Sequence, residues 1–525
     1  MPITTDSNSG EGLIYRPNEQ CAEDCSEWST AGPLTVRFLS MGGIGQLHQQ
    51  VSIGTLPDDV LLKIFKFFVD ATYCYHYATE DWRTLVQVCR RWRDLAFTSP
   101  RHLNLQLLCR PPRRLVKEML DIWPELPIYV HDCECPTKEA RDNVVAALRL
   151  NHRVSGVHLQ KSSDSEWETL VPLMQHSFPV LTHLWVKLRV SITNPISRAF
   201  LGGSAPSLRD LQLFGVPFPA LPELLLSTTN LVCLWHNNIP RSGYISPQAM
   251  VTGLSALTQL ESLSMSFQSP QSLPDREIRI PPPHTRILLP SLTYLHFRTV
   301  PAYMEDLVTQ IDAPLLESVQ ITLFNQEFLE VSELAKFVHR ADKLSLPHQA
   351  EVTFRSDSIS ITLSPELLLR SFNPNTVMLN LACAGSALRL SYLAQFCASC
   401  LPTLSPFESL HIHVSMYHMW QDVIDDPDPQ WLELLRLFNT VKDLRLSKTV
   451  APHVAQALRM LLVERVMEVL PALENVFISR LEPSGPVQEA ISEFADARQR
   501  SGHPVSVHDW EGEVYYTKVR RWIDG

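Results

Sequence analysis

The first sustained pattern of apolar and polar positions is helical. In TLPDDVLLKIFKFFVD, Val60, Leu61, Ile64, Phe65 and Phe68 fall on adjacent i, i+4 rows of one face. Pro57 near the first helical position needs no amide donor, and Asp58 and Asp59 complement the helix dipole in the first turn. After an aromatic-rich connection, DATYCYHYATE, the segment DWRTLVQVCRRWRDLAF sets Trp82, Leu85, Val86, Cys89, Trp92 and Ala96 at helical spacing, with Val88 and Leu95 widening the apolar band. So broad a band must be covered from two sides. Two short segments of this kind cover each other in a small helical unit and leave apolar surface for a partner.

From Leu103 the period changes. Short apolar strands (HLWVKL, DLQLFG, SLSMSF, YLHF, SVQITL, SLHIHV, DLRLS, NVFIS) alternate with stretches long enough for a helix, the cadence of a repeated strand and helix unit. The pattern apolar-x-x-apolar-x-apolar has anchors at Val154, Leu181, Leu208, Leu231, Leu260, Leu292 and Leu316, spaced by 27, 27, 23, 29, 32 and 24 residues. Five of those six spacings fall in the leucine-rich-repeat range of roughly 20 to 29 residues. More ragged copies follow at Val441 (Leu444, Leu446) and Leu473 (Val476, Ile478). Many units carry a proline just before the anchor (Pro179, Pro206, Pro290, Pro314, Pro471), which stops the preceding helix and turns the chain into a strand. The pattern predicts an α/β chain in three parts: a flexible leader over residues 1–50, a helical unit over 51–101 and a solenoid over 102–525.

Here a resemblance becomes specific. Leu56-Pro57, the Leu/Ile/Phe helix after it, and Val88-Cys-Arg-Arg-Trp-Arg-Asp-Leu95 resemble the F-box family over about Leu56 to Arg101. One departure is the long Tyr-rich connection from Asp70 to Asp81, where the family often has a few residues. The later repeats look like the irregular leucine-rich repeats of many F-box proteins, although the family's asparagine is mostly missing: Val216 stands where it would follow Leu213. The resemblance implies a three-helix unit that docks on the Skp adaptor of a cullin ubiquitin ligase. Carried over to this chain, Leu56, Pro57, Val60, Leu61, Ile64 and Phe65 would meet that adaptor, with Val86, Cys89 and Trp92 completing the patch. The bare pattern allows another reading, in which the same residues form a local core that caps the array.

In a strand and helix repeat, the residues alternating with the anchors point to the open, concave face of the sheet. Those positions hold His158, Trp185, Lys187, Gln212, Trp235, Tyr294, His296, Arg298, Gln320, His411, His413 and Arg445, the candidate contacts for a protein substrate. Trp, Tyr and Arg are the types enriched among interface anchors.

Charge and chemistry change this picture little. A net charge of −11 with 19% charged residues leaves no long basic surface for a phosphate backbone, so nucleic acid is not expected as the principal partner. No apolar run is long enough for a bilayer, and the start Met-Pro-Ile-Thr-Thr-Asp shows no secretory or transit pattern. The 11 cysteines are accordingly expected as reduced thiols, in the cytosol or nucleus. No cofactor, metal or catalytic residue is expected. Met41-Gly-Gly-Ile-Gly45 lacks a third phosphate-loop glycine, and Cys397 with Cys400 lacks a second pair for zinc. Cys133 with Cys135 and Cys21 with Cys25 are no better supported, and the acidic run Asp425 to Pro429 lacks the glycine and final glutamate of a calcium loop. His411 and His413 share a strand face, but no carboxylate lies near them in sequence.

Overall fold

The computed structural model describes residues 53, 56–71, 82–100, 102–109, 125–133, 137–161, 163–189, 194–273, 286–324, 331–344, 347–355, 358–365, 376–382, 389–400, 407–415, 430–461 and 463–510. The leader over 1–50 and the motifs at Cys21, Cys25, Met41, Cys135 and Asp425 lie outside them.

Three helices open the chain: α1 (Asp58–Ala71), α2 (Trp82–Val88) and α3 (Arg90–Thr98). On α1 the row Leu61, Phe65, Val69 turns inward to meet Trp82, Leu85, Val86 and Ala96. Burying each such large apolar side chain contributes about 1.5–3 kcal/mol. The periodicity runs on through Cys89, yet the chain is extended there (φ −158°, ψ 170°), so one expected helix is two. Arg93 bridges the break, its Nε donating to the Val86 carbonyl at 2.9 Å. Arg91 closes the unit's other end, donating to the Leu56 carbonyl and to Asp58 Oδ1 at 2.5 and 2.6 Å.

The sheet begins with β1 (Leu107–Cys109), β2 (Ile128–Cys133), β3 (Val154–Lys161), β4 (His183–Leu188), β5 (Asp210–Phe214), β6 (Cys233–Ile239) and β7 (Ser262–Phe267). A two-residue pair follows, β8 (Ile287–Leu288) with β10 (Ile311–Asp312), flanking β9 (Tyr294–Thr299). Then come β11 (Ser318–Phe324), β12 (Gln349–Phe354), β13 (Ser358–Ser364), β14 (Thr376–Ala382), β15 (Ser409–Val414), β16 (Asp443–Leu446), β17 (Asn475–Ser479) and β18 (Ser506–Trp510). Short helices connect them, among them α4 (Lys138–Leu148), α5 (Pro247–Leu254), α6 (Pro301–Val308), α7 (Ser332–His339), α8 (Ala451–Arg459) and α9 (Pro486–Arg500). Several start on a proline, Pro247, Pro301 and Pro486 among them, where the missing amide donor costs nothing.

Sixteen of the strands form one sheet in the order β1-β2-β3-β4-β5-β6-β7-β9-β11-β14-β13-β12-β15-β16-β17-β18. The fold is an α/β solenoid. Every anchor from Val154 to Leu316 is fully buried, as is Val441. The strand residues facing the helices form continuous rows, such as Leu184, Leu211, Leu234, Leu263, Leu295 and Val319.

One segment departs from the expected parallel array. β12, β13 and β14 lie in reverse order, with β13 antiparallel to both neighbours while β14 joins β11 and β12 joins β15 in parallel. The core is a single cluster running from Leu61 through Ala497, so the helical unit and the array are packed as one body of apolar side chains. Trp82 adds a polar tie, its Nε1 donating to the Gln106 carbonyl at 2.9 Å. Among the described residues no helix is long and apolar enough to cross a membrane.

Candidate interaction surfaces

The helical unit has two apolar rows, and the structure separates them. Leu61 and Phe65 on α1 and Val86 on α2 are buried inside the unit, which corrects the expectation that they face a partner. The second row stays outside: Ile64 is 39% exposed, Phe68, four residues on, 37%, and Phe67, three residues on, 77%. Val88 at the end of α2 is 60% exposed and Cys89 beside it is exposed. Pro57 is exposed, while Leu56, Val60 and Trp92 are half-buried, the Trp92 ring packing 4.7 Å from Phe65. Phe67 lies off the i, i+4 rows of Val60, Leu61, Ile64 and Phe65 that the sequence shows, and Val88 reads there only as a widening of the apolar band. Arg91, in the Arg90-Arg91-Trp92 run, is engaged by Asp58 in the same chain.

On the sheet's open face the nominated residues do share rows. Parallel pairing sets His131, His158, Trp185, Gln212, Trp235, Ser264, His296 and Gln320 side by side on successive strands. The same row continues across the reversed segment through Met378, Thr362 and Glu351, and beyond it through His411, Arg445, Phe477 and His508. Lys187 and Arg298 lie two residues further along their strands, and Tyr294 two residues before His296.

Neighbouring strands are about 4.8 Å apart, so side chains in one row stack on each other. His158 lies 3.9 Å from Trp185 at 13° between planes, and on its other side 4.7 Å from His131. This lateral stacking corrects a second expectation: His158, Gln212, His411 and His413 are buried rather than exposed. Trp185, Lys187, Trp235, Tyr294, His296, Gln320 and Arg445 are half-buried, and Arg298 is exposed.

Polar contacts fix these groups in place. Trp235 Nε1 donates to Ser262 Oγ at 3.0 Å, and Ser264 Oγ lies 2.7 Å from His296 Nδ1. Tyr294 donates to Gln320 Oε1 at 3.3 Å, and Gln212 Nε2 to Asp210 Oδ1 at 3.1 Å. Arg445 donates to Ser409 Oγ at 2.6 Å, with its guanidinium carbon 5.2 Å from the Phe477 ring centroid. Burial, reinforced by the Arg298 charge, holds His296 below the usual histidine range. Such pre-ordered side chains lose little freedom on meeting a partner.

At β12 and β15 the row becomes chemically distinct. His413 Nε2 lies 2.6 Å from Glu351 Oε1 and 2.9 Å from Thr353 Oγ1. His411 stacks on His413 at 4.8 Å between centroids, with Trp510 edge-on at 5.2 Å. Burial, then the nearby His413, pushes His411 down to about 3. The view that no carboxylate accompanies these histidines is therefore corrected: Glu351, 60 residues earlier, is the register partner of His411. The alternation in QAEVTF and SISITLS, joined by a short link, signals a hairpin and puts Glu351 on a strand, but the pairing of that strand with β15 has no local signal.

With this geometry in hand, the chain can be set beside known proteins. Residues 53–111 match the F-box-like family model. The helical unit is F-box-like. No curated protein matches the chain in sequence. Among solved structures, the leucine-rich repeat-containing protein LegL7 from Legionella pneumophila is similar at 13% identity and a TM-score of 0.24, covering 75% of this chain and 98% of that one. The solenoid description stands on the strand order itself. An F-box-like helical unit continuous with a strand array of this kind makes a protein-interaction adaptor.

Proposed function

We propose that this chain is the substrate-recognition subunit of a Skp-cullin-F-box ubiquitin ligase, acting in the cytosol or nucleus. The carrying observation is that an F-box-like unit which buries Leu61, Phe65, Val69, Trp82 and Val86 leaves Ile64, Phe67 and Phe68 exposed on α1 and Val88 exposed at the end of α2. Four large apolar side chains left outside a satisfied core are best explained by a protein partner. The half-buried Trp, Tyr, His and Arg of the open face would hold a protein substrate across several strands. The subunit would contribute proximity, raising the effective concentration of a substrate lysine, with no active-site residue of its own.

The single core from Leu61 to Ala497 also makes the helical unit a cap for the array. Deleting the unit would therefore remove both roles at once, and the decisive test uses surface substitutions. The full chain is titrated with a purified Skp-type adaptor, alongside Ile64→Asp and Phe67→Asp, with circular dichroism to confirm folding. Each variant is expected to weaken binding about thirtyfold or more, the loss of roughly 2 kcal/mol of apolar burial. Undiminished binding by both folded variants, or no binding by the native chain, would overturn the ligase reading and leave the cap.

A further inference from the structure

We propose that Glu351, His411 and His413 form a binding site for one first-row divalent metal ion, with zinc the best fit. Their candidate donor atoms lie within 4.8 Å of one another on the open face. The inference does not depend on the ligase reading.

The site is a product of the reversed hairpin. His411 and His413 are two residues apart on β15, so both point to one face. A neighbour in simple chain order would be β14, but the reversal brings β12 there instead. Glu351 is thereby placed level with His411, and Thr353 level with His413. Strand spacing then brings a carboxylate and two imidazoles together without any loop.

The distances suit a tetrahedral ion. With metal-to-donor bonds of about 2.05 Å, tetrahedral donors stand roughly 3.4 Å apart. The shortest donor separation here, 2.6 Å between His413 Nε2 and Glu351 Oε1, is a proton-mediated contact that an ion would replace and widen. The widest, 4.8 Å, would close by a little over 1 Å through side-chain rotation. Two imidazoles and one carboxylate are the three-ligand set of an open zinc site, with the fourth position for water. Imidazole donors disfavour calcium and magnesium, which take oxygen, so the ion should come from the zinc, copper and nickel group.

The surroundings shelter the ligands without sealing them. His411 and His413 are buried, whereas Glu351 is half-buried and open to the groove. Trp510 lies edge-on to His411. The nearest opposing charge, Arg445, is drawn aside by Asp443 at 3.6 Å and by the Phe477 ring.

The test uses the full chain, stripped with a chelator and titrated with Zn²⁺ by calorimetry and with Co²⁺ by visible absorption. One ion per chain is expected, with a tetrahedral or five-coordinate cobalt spectrum lacking a thiolate band, so that cysteine sites are separated from this one. Glu351→Gln, which keeps the side chain's size, and His411→Asn should each weaken zinc binding by about a hundredfold, with circular dichroism as a check on folding. If a variant fails to fold, His413→Gln replaces it. No stoichiometric uptake, a cobalt spectrum of thiolate type, or equal affinity in the folded variants would overturn the site.

Discussion

His236 should make the middle of the array sensitive to mild acid. It occupies a position in the inner row that its neighbours fill with Leu213 and Met265, and it is fully buried. Its Nε2 donates to the Val216 carbonyl at 2.9 Å, and since a carbonyl only accepts, this nitrogen carries the hydrogen. Nδ1 is buried with no hydrogen-bond partner, so a second proton there would place an unsolvated charge in the core. Burial accordingly pushes the group down to about 4 from its ordinary 6.5, with the Val216 contact opposing part of that shift. Between these values the unfolded chain binds a proton that the folded chain refuses, so stability is complete above about 6.5, falls as pH drops, and stops falling below about 4. The slope approaches about 1.4 kcal/mol per pH unit in the middle of this window and is smaller at its ends, so about 2 kcal/mol is lost on going from pH ~6.5 to ~4.5.

Repeat arrays open locally, so the apt measurement is native-state hydrogen exchange of the β5, β6 and β7 amides, compared between the native chain and His236→Leu. All other titrating groups are common to the two proteins and cancel in the difference. At neutral pH the variant should lie within about 1–2 kcal/mol of the native chain, having exchanged one hydrogen bond for apolar contact. At pH ~4.5 the difference should have moved by about 2 kcal/mol in the variant's favour. A pH-independent difference would refute the assignment of the acid sensitivity to His236.

Three further outcomes follow from the packing. Lys161 and Asp132 form an ion pair with both side chains buried; Lys161→Met strands the carboxylate and should cost about 3–5 kcal/mol in local opening at β2 to β4, while adding Asp132→Leu should restore most of it. Failure of the second change to rescue would show that the carboxylate is not the source of the loss. Gly215 has φ +69°, and a Cβ there would come 2.6 Å from the Leu188 carbonyl oxygen, so Gly215→Ala should lower the melting temperature through a cost of about 2–4 kcal/mol, against near-neutrality if the turn can relax. In the helical unit, Leu61→Asp should abolish the near-ultraviolet signal of packed Trp82 and Trp92, whereas Phe67→Asp, on the exposed row, should preserve it; equal effects would mean that the two rows are not separate.

Much of the architecture is written in local pattern. The anchors from Val154 to Leu316 and the prolines ahead of them mark strand starts because apolar spacing and proline geometry act within a few residues. What escaped was decided by contacts across the sheet. Nothing local tells β12 to pair with β15 rather than β11, since that choice depends on strands 60 residues apart. The same limit applied to exposure. Period two placed His158 and His411 on the open face correctly, but whether a side chain there meets solvent depends on the residue stacked beside it, Trp185 in one case and His413 in the other. On α1 the apolar band was wider than one core can cover, and only the positions of Trp82 and Ala96 decided that Leu61 and Phe65 go inward while Ile64 and Phe68 remain outside.

That division has a mechanical consequence for an adaptor. If the helical unit hung from the array on a flexible linker, a bound substrate would sample a wide volume and its effective concentration at a partner would fall with linker length. Here the inward row of α1 belongs to the same core as the strands, and Trp82 is hydrogen-bonded to Gln106 at the array's first turn. A protein docked on the Ile64 and Phe67 row would thus be held through packed side chains to the sheet whose open face carries Trp185, Trp235 and Arg445. Loosening that joint with Trp82→Ala, which removes both the packing and the hydrogen bond, should leave each surface able to bind alone. On the proposed ligase function it should reduce ubiquitin transfer to a substrate held on the open face, and unchanged transfer with both bindings intact would show that rigid coupling is not used.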